Sequence, residues 1–231
     1  MQELVNIVNS YIWSPALIYL CLGAGLFFTA ITRFVQIRHF REMWRLLMSG
    51  KSSEQGISPF QALAVSLSGR VGTGNIAGVA AAIGFGGPGA VFWMWVVAFF
   101  GAATAYIEST NAQIFKEEEE GMYRGGPAFY IEKALGQKWY AWIFAVATIL
   151  ACGLLLPMVQ SNGIGEAIEQ AFGATATIDT ALGAISYAKI YTATGIVLLL
   201  GFIIFGGVKR IAHFTQVVVP FMALAYIIIA I

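Results

Sequence analysis

PFQALAVSLSGRVGTGNIAGVAAAIGFGG, residues 59–87, is apolar enough to enter a membrane, yet its middle is interrupted by Gly69-Arg70-Val71-Gly72-Thr73-Gly74-Asn75. In hydrocarbon every backbone N–H and C=O needs a partner, and an unbroken helix supplies them all. A plain span has no use for three glycines within six residues, since each loosens a helix by roughly 1 kcal/mol relative to alanine. Nor has it a use for an arginine, which costs on the order of 2.5 kcal/mol or more at the bilayer centre. Irregular backbone at that depth persists only where it is buried in protein or lines a cavity. The stretch therefore predicts an unwound helix whose freed amides and carbonyls hold a small polar ligand and its coupling ion.

The chemistry follows from the break. The inner half-helix is expected to end near Ser68 and the outer half to start near Gly74 or Asn75. The outer half then presents amide N–H groups, which attract a carboxylate. The inner half presents carbonyls, which suit a hard cation or an ammonium. Thr73 adds a hydroxyl and Asn75 an amide oxygen able to ligate sodium. A small zwitterionic amino acid with a monovalent cation satisfies both ends; a sugar or a lipid does not.

The competing reading is a glycine-rich helix that packs closely on its neighbours. It accounts for Gly74 and Gly78 but not for Arg70, Thr73 and Asn75 together. A phosphate loop is excluded, because the Lys-Ser/Thr ending and the preceding strand are missing. Arg70 has two roles open to it: a functional cation, or a structural one neutralising a buried carboxylate or the inner carbonyls. Glu108 is a candidate partner and is also placed to reach water. Met158, Gln160 and Asn162, just after Pro157, either face the site or cap the outer end of their helix.

Composition sets the class. Of 231 residues, 58% are hydrophobic and 11% charged, against about 25% charged in soluble domains. Mean hydropathy is +0.76. Net charge is +1, and no basic patch interleaved with aromatics points to nucleic acid. Cys21 and Cys152 have no metal-ligand spacing, and nothing marks His39 or His213 as ligands. No His/Glu metal motif and no Ser or Cys with a matched base lies in the spans, so an enzyme is not expected. The first ten residues contain no Lys or Arg, unlike a cleavable signal peptide.

The expected order is a short amphipathic segment over 1–12, a leading helix at 13–34, an amphipathic connector at 35–58, and five spans over 59–231 beginning with the broken helix at 59–87. The later spans are 88–115, 139–162 with a kink at Pro157, 188–207 and 214–231. Arg33, Arg38, Arg41, Arg45 and Lys51 interleave with Phe34, Ile37, Phe40, Trp44 and Leu47, the pattern of an interfacial helix with a basic face. Glu117 to Glu120 read as a solvated loop, and 163–187 as a polar stretch. Placing 33–58 in the cytoplasm puts eleven of the thirteen Lys and Arg on that side, so the N-terminus is expected outside a cell (inner) membrane.

GRVGTGNIAGVA at 69–80, GGPGAVFWMWVVAFFGAAT at 86–104 and RGGPAFYIEKALG at 124–136 resemble the alanine or glycine:cation symporters, also called sodium:alanine symporters. The resemblance covers essentially the whole chain. It implies the LeuT-type fold: one leading helix, then the first of two inverted five-helix repeats. It also implies sodium-coupled symport of alanine, glycine or a similar small neutral amino acid by alternating access, with sodium as coupling ion and no other cofactor. Gly72-Thr73-Gly74-Asn75 looks like the break of related sodium-coupled transporters. By that resemblance Gly72, Thr73 and Gly74 contact the substrate carboxylate, and Gln160 makes a further substrate contact. Asn75 lends its side chain to one sodium, and the carbonyls of Ser68 and Val71 face a second. Arg70 departs from the small residue found there in better-known amino-acid transporters of the fold. Family members are roughly twice this length, so the chain is expected to be the N-terminal half. A channel or pore subunit, or a non-transporting membrane fragment, are the alternatives from other classes.

Overall fold

The computed structural model describes residues 2–50, 56–119, 121–173, 176–180 and 183–230. Among these, five helical stretches are long and apolar enough to cross a membrane: Glu3–Ile31, Gly89–Ile114, Lys138–Phe172, Tyr187–Ile204 and Gly207–Ile229. The chain is a mostly helical, multi-pass membrane protein.

The chain opens with α1 (Gln2–Ile12) and α2 (Pro15–Ile31). The leading helix stops at Ile31 rather than Phe34. Thr32 Oγ1 donates back to the Phe28 carbonyl at 2.7 Å, and Arg33 and Phe34 both adopt left-handed backbone, φ 51° and 57°. That corner turns the chain into α3 (Val35–Arg38) and α4 (Phe40–Ser49). Lys51 lies outside the described residues.

Helix α5 (Pro59–Ser68) opens with a capping box. Ser58 Oγ accepts from the Gln61 amide, and Gln61 Oε1 accepts from the Ser58 amide. After the interruption at 69–73 the chain resumes as a π turn, Gly74–Gly78, which runs into α6 (Val79–Gly86). Helix α7 spans Gly89–Ile114.

The Glu117–Glu119 segment is not a loop. It forms strand β1, paired antiparallel with β2 (Met122–Arg124). Charge pairing offsets the low strand propensity of glutamate: Arg124 meets Glu119 at 2.8 Å and Lys133 meets Glu117 at 2.7 Å. Gly121 supplies the positive φ of the turn, 73°. Glu120 lies outside the described residues. The amphipathic helix expected after Gly125-Gly126 is α8 (Pro127–Leu135).

The fourth span is longer than expected. Helix α9 (Lys138–Thr148), a π segment (Ile149–Leu155) and α10 (Leu156–Phe172) run on without a break. Pro157 lacks an N–H and crowds the carbonyl four residues back. The wider π turns immediately before it accommodate both effects. The helix therefore takes up most of the supposed polar stretch, whose remainder forms the hairpin β3 (Thr177–Thr180) and β4 (Gly183–Ser186). These two hairpins qualify the all-α expectation. Helix α11 (Tyr187–Ile204) and helix α12 (Gly207–Ala230) follow. The expected 208–213 connector is instead the start of α12. Gly207 makes the turn at φ 75°, and Arg210 stacks on the Phe202 ring, 3.9 Å from its centroid.

Two compact units form: residues 1–47 with 81–142, and residues 48–80 with 143–231. In the first, α7 packs on α2, α3 and α8. Gly25 permits the close α2–α7 approach, since a Cβ there would lie 2.9 Å from the Phe100 Cβ. In the second, α5 packs on α12, and α11 on α10 and α12.

The buried residues are mostly small, among them Ala64, Ala103, Thr29 and Ala212, while Phe85 is 96% and Trp95 72% exposed. This is the inverse of a water-soluble core. It fits a solvent of lipid, in which helices meet through small residues and large apolar side chains point outward.

Candidate functional site

The site is built by the second unit, from the break at 69–75 and helix α10. Helix α5 ends as its last amides fold back: Gly69 N–H donates to the Val65 carbonyl at 3.2 Å, and the N–H groups of Arg70 and Val71 both donate to the Leu67 carbonyl at 3.0 Å. Asn75 N–H donates to the Gly72 carbonyl, also at 3.0 Å. The carbonyls of Ser68 and Val71 take no part in these bonds. Ser68 Oγ donates to the Val65 carbonyl at 2.7 Å.

Two amides of the break are held by side-chain oxygens. The Gly72 N–H donates to Asn75 Oδ1 at 3.3 Å, and the Thr73 N–H donates to Gln160 Oε1 at 3.0 Å. The structure thus brings Gly72, Thr73, Asn75 and Gln160 together. Carbonyl-type oxygens sit on two of the amides read from the sequence as carboxylate receivers. Gly74 opens the π turn, and Arg70 is exposed, with no side-chain hydrogen bond or ion pair among the described residues.

Close approach explains one glycine in the break and one outside it. A Cβ at Gly72 would fall 2.4 Å from Gln160 Nε2, and one at Gly163 would fall 2.6 Å from Thr73 Cγ2. Gly163 was not singled out in the sequence. Its signal is its place three residues beyond Gln160, on the same face of the helix, where a small residue lets backbones approach closely.

Helix α10 also separates the three residues grouped after Pro157. Gln160 reaches the break. Met158 and Asn162 line a different cavity of about 650 Å³ between α10 and α11, with Ser161, Lys189 and Thr192. Asn162 Nδ2 donates to Glu166 Oε1 at 2.9 Å. None of the three caps a helix end, because α10 continues to Phe172. Gly165 faces Lys189 of α11, whose ammonium lies 3.1 Å from Glu169.

In the first unit, Glu108 of α7 is electrostatically coupled to Tyr130 of α8. Burial, then the Glu108 carboxylate, then Tyr140 push the Tyr130 phenol above its ordinary pKa.

Comparison with known proteins adds to this geometry. The family model described as the sodium:alanine symporter family matches residues 1–231. The protein YrbD of Bacillus subtilis (strain 168) is 55% identical over 230 residues, covering 100% of this chain and 45% of YrbD. The amino-acid carrier protein AlsT of the same organism is 44% identical over 229 residues, covering 99% of this chain and 46% of AlsT. The sodium/proton-dependent alanine carrier protein of Bacillus sp. (strain PS3) is 46% identical over 189 residues, covering 82% of this chain and 39% of the carrier. The chain spans less than half the length of these relatives. No solved structure matches it.

Proposed function

Because this chain belongs to the sodium:alanine symporter family, a family of transporters rather than enzymes, we propose that it supplies the N-terminal half of a sodium-coupled symporter for alanine, glycine or a similar small neutral amino acid. The observation that carries the reading is the meeting of Gln160 with the Thr73 amide across a broken, apolar helix. A membrane span gains nothing from such a break unless the freed backbone serves a ligand.

In the proposed site, the substrate carboxylate takes the place of Asn75 Oδ1 and Gln160 Oε1 on the Gly72 and Thr73 amides, with the Gly74 amide beside them, and the released Gln160 side chain adds a polar contact. Asn75 Oδ1 ligates one sodium, and the Ser68 and Val71 carbonyls face another, with further ligands from the rest of the protein. Arg70 is proposed as a cation beside this site. Substrate and sodium binding together couple uphill uptake to the sodium gradient. The reading carries the LeuT-type fold with it: a leading helix over 13–34, a connector over 35–58 and a first five-helix repeat over 59–231. Supporting this is the split of residues 59–86 into two helical halves behind one leading helix. The Lys and Arg distribution supports a cytoplasmic 33–58 connector and an outside N-terminus.

The test is uptake of radiolabelled alanine into proteoliposomes. The 231-residue chain is run beside a version extended to the length of its relatives, with and without a sodium gradient. Sodium-driven uptake by the extended version is expected. Ion current without an amino acid would point to a channel instead.

A further inference from the structure

We infer that the α3–α4 segment is a docking surface for the phosphodiester headgroups of anionic phospholipids. Residues 33–49 carry Arg33, Arg38, Arg41 and Arg45 against a single acid, Glu42. Arg38, Arg41, Arg45, Glu42 and Trp44 line one open cavity of about 640 Å³. Opposite charge within this cluster is already used: Arg45 pairs with Glu42, while Arg38 leans on the His39 ring at 3.1 Å. Arg41 has no side-chain hydrogen bond or ion pair among the described residues. The surface is therefore a cationic cup with donors to spare.

The occupant follows from what else is on the same helix. At 100° per residue, Phe40, Met43, Trp44 and Leu47 fall on one side of α4, and Arg41 and Arg45 fall together on the neighbouring basic side. Phe40 is 65% and Trp44 61% exposed, and among the described residues α4 packs against no other helix extensively. A soluble anion would need the arginines but not the apolar side. A bilayer surface offers both, an apolar layer directly beneath phosphates.

The fold also delivers the cup to that depth. The left-handed corner at Arg33-Phe34 follows α2 immediately. It is pinned by Gln36, which donates to Thr29 Oγ1 at 3.2 Å and to the Phe99 carbonyl of α7 at 3.5 Å. Val35 is buried. The basic helix is thus held at the end of a membrane span and cannot drift into bulk water.

The test uses the 231-residue chain in detergent, offered equimolar phosphatidylglycerol and phosphatidylcholine, with retained lipid identified by native mass spectrometry. Phosphatidylglycerol is expected to be retained preferentially. Each of Arg38→Gln, Arg41→Gln and Arg45→Gln should lower that preference, by up to roughly five-fold per charge. Glu42→Gln, which removes the one acid of this segment, should raise it, so the surface is tested in both directions even if one variant folds poorly. Inorganic phosphate at millimolar concentration should leave lipid retention unchanged. Equal retention of the two lipids, a preference untouched by the arginine variants, or displacement by inorganic phosphate would each overturn the inference.

Discussion

The Gln160 side-chain oxygen accepts a hydrogen bond from the Thr73 backbone amide at 3.0 Å, joining residues 87 apart in the sequence. Its amide nitrogen lies where a side chain at Gly72 would have to go. Gln160 therefore reads the backbone of the break directly, and a change at either partner is felt by the other.

Gln160→Ala removes that acceptor without adding bulk. A hydrogen bond of this kind is worth about 1 kcal/mol net. In the extended transporter the variant is expected to raise the KM for alanine by roughly five-fold, the equivalent of that energy, while helicity and monodispersity stay unchanged. A KM equal to that of the parent would remove Gln160 from the substrate site.

Gly72→Ala places a methyl 2.4 Å from Gln160 Nε2. Overpacking at such a contact costs about 1–3 kcal/mol, so a lower Tm and impaired uptake are expected. Because the clash is with one flexible side chain, Gly72→Ala combined with Gln160→Ala should recover most of the lost stability. A thermal-melt double-mutant cycle measures this coupling. Strict additivity would contradict the contact.

Asn75 Oδ1 accepts from the Gly72 amide at 3.3 Å, a long bond that a cation can replace. Losing one ligand oxygen to a charged group costs about 1.5 kcal/mol or more, so Asn75→Ala is expected to raise the sodium concentration for half-maximal uptake by about ten-fold. Wild-type sodium dependence in that variant would falsify the sodium role of Asn75.

Tyr130 offers a pH test outside the spans. Its pKa is raised by burial first and by Glu108 second, so the folded state holds the phenolic proton more tightly than the unfolded chain. The stability this contributes is fully present below the ordinary tyrosine range and is lost as pH rises through the shifted pKa. The ultraviolet titration difference between the parent and Tyr130→Phe should show a late-titrating phenol, and Glu108→Gln should move it back toward the ordinary range. A Tyr130 transition unaffected by Glu108→Gln would exclude the carboxylate as a cause.

The sequence alone determined the solvent, the position of the break and the basic interfacial segment. Each is a local property: summed hydropathy, glycines next to Arg70 inside an apolar run, and arginines in register with aromatics. It also placed Gln160 among three candidates, but it had no means of choosing between them. Only the tertiary structure did so, sending Gln160 and Gly163 to the break and Met158 and Asn162 to the α11 side. Within α10 itself, Met158 and Asn162 are four residues apart and share one face, while Gln160 and Gly163 lie on another. The π segment Ile149–Leu155 sets the phase of that helix against the turns before it, and packing decides which face meets the break. The strand made from Glu117–Glu119 was hidden for a related reason. A run of three identical charges has no alternation; its pairing with β2 brings Arg124 to Glu119, and Lys133 of α8 meets Glu117, offsetting part of the charge.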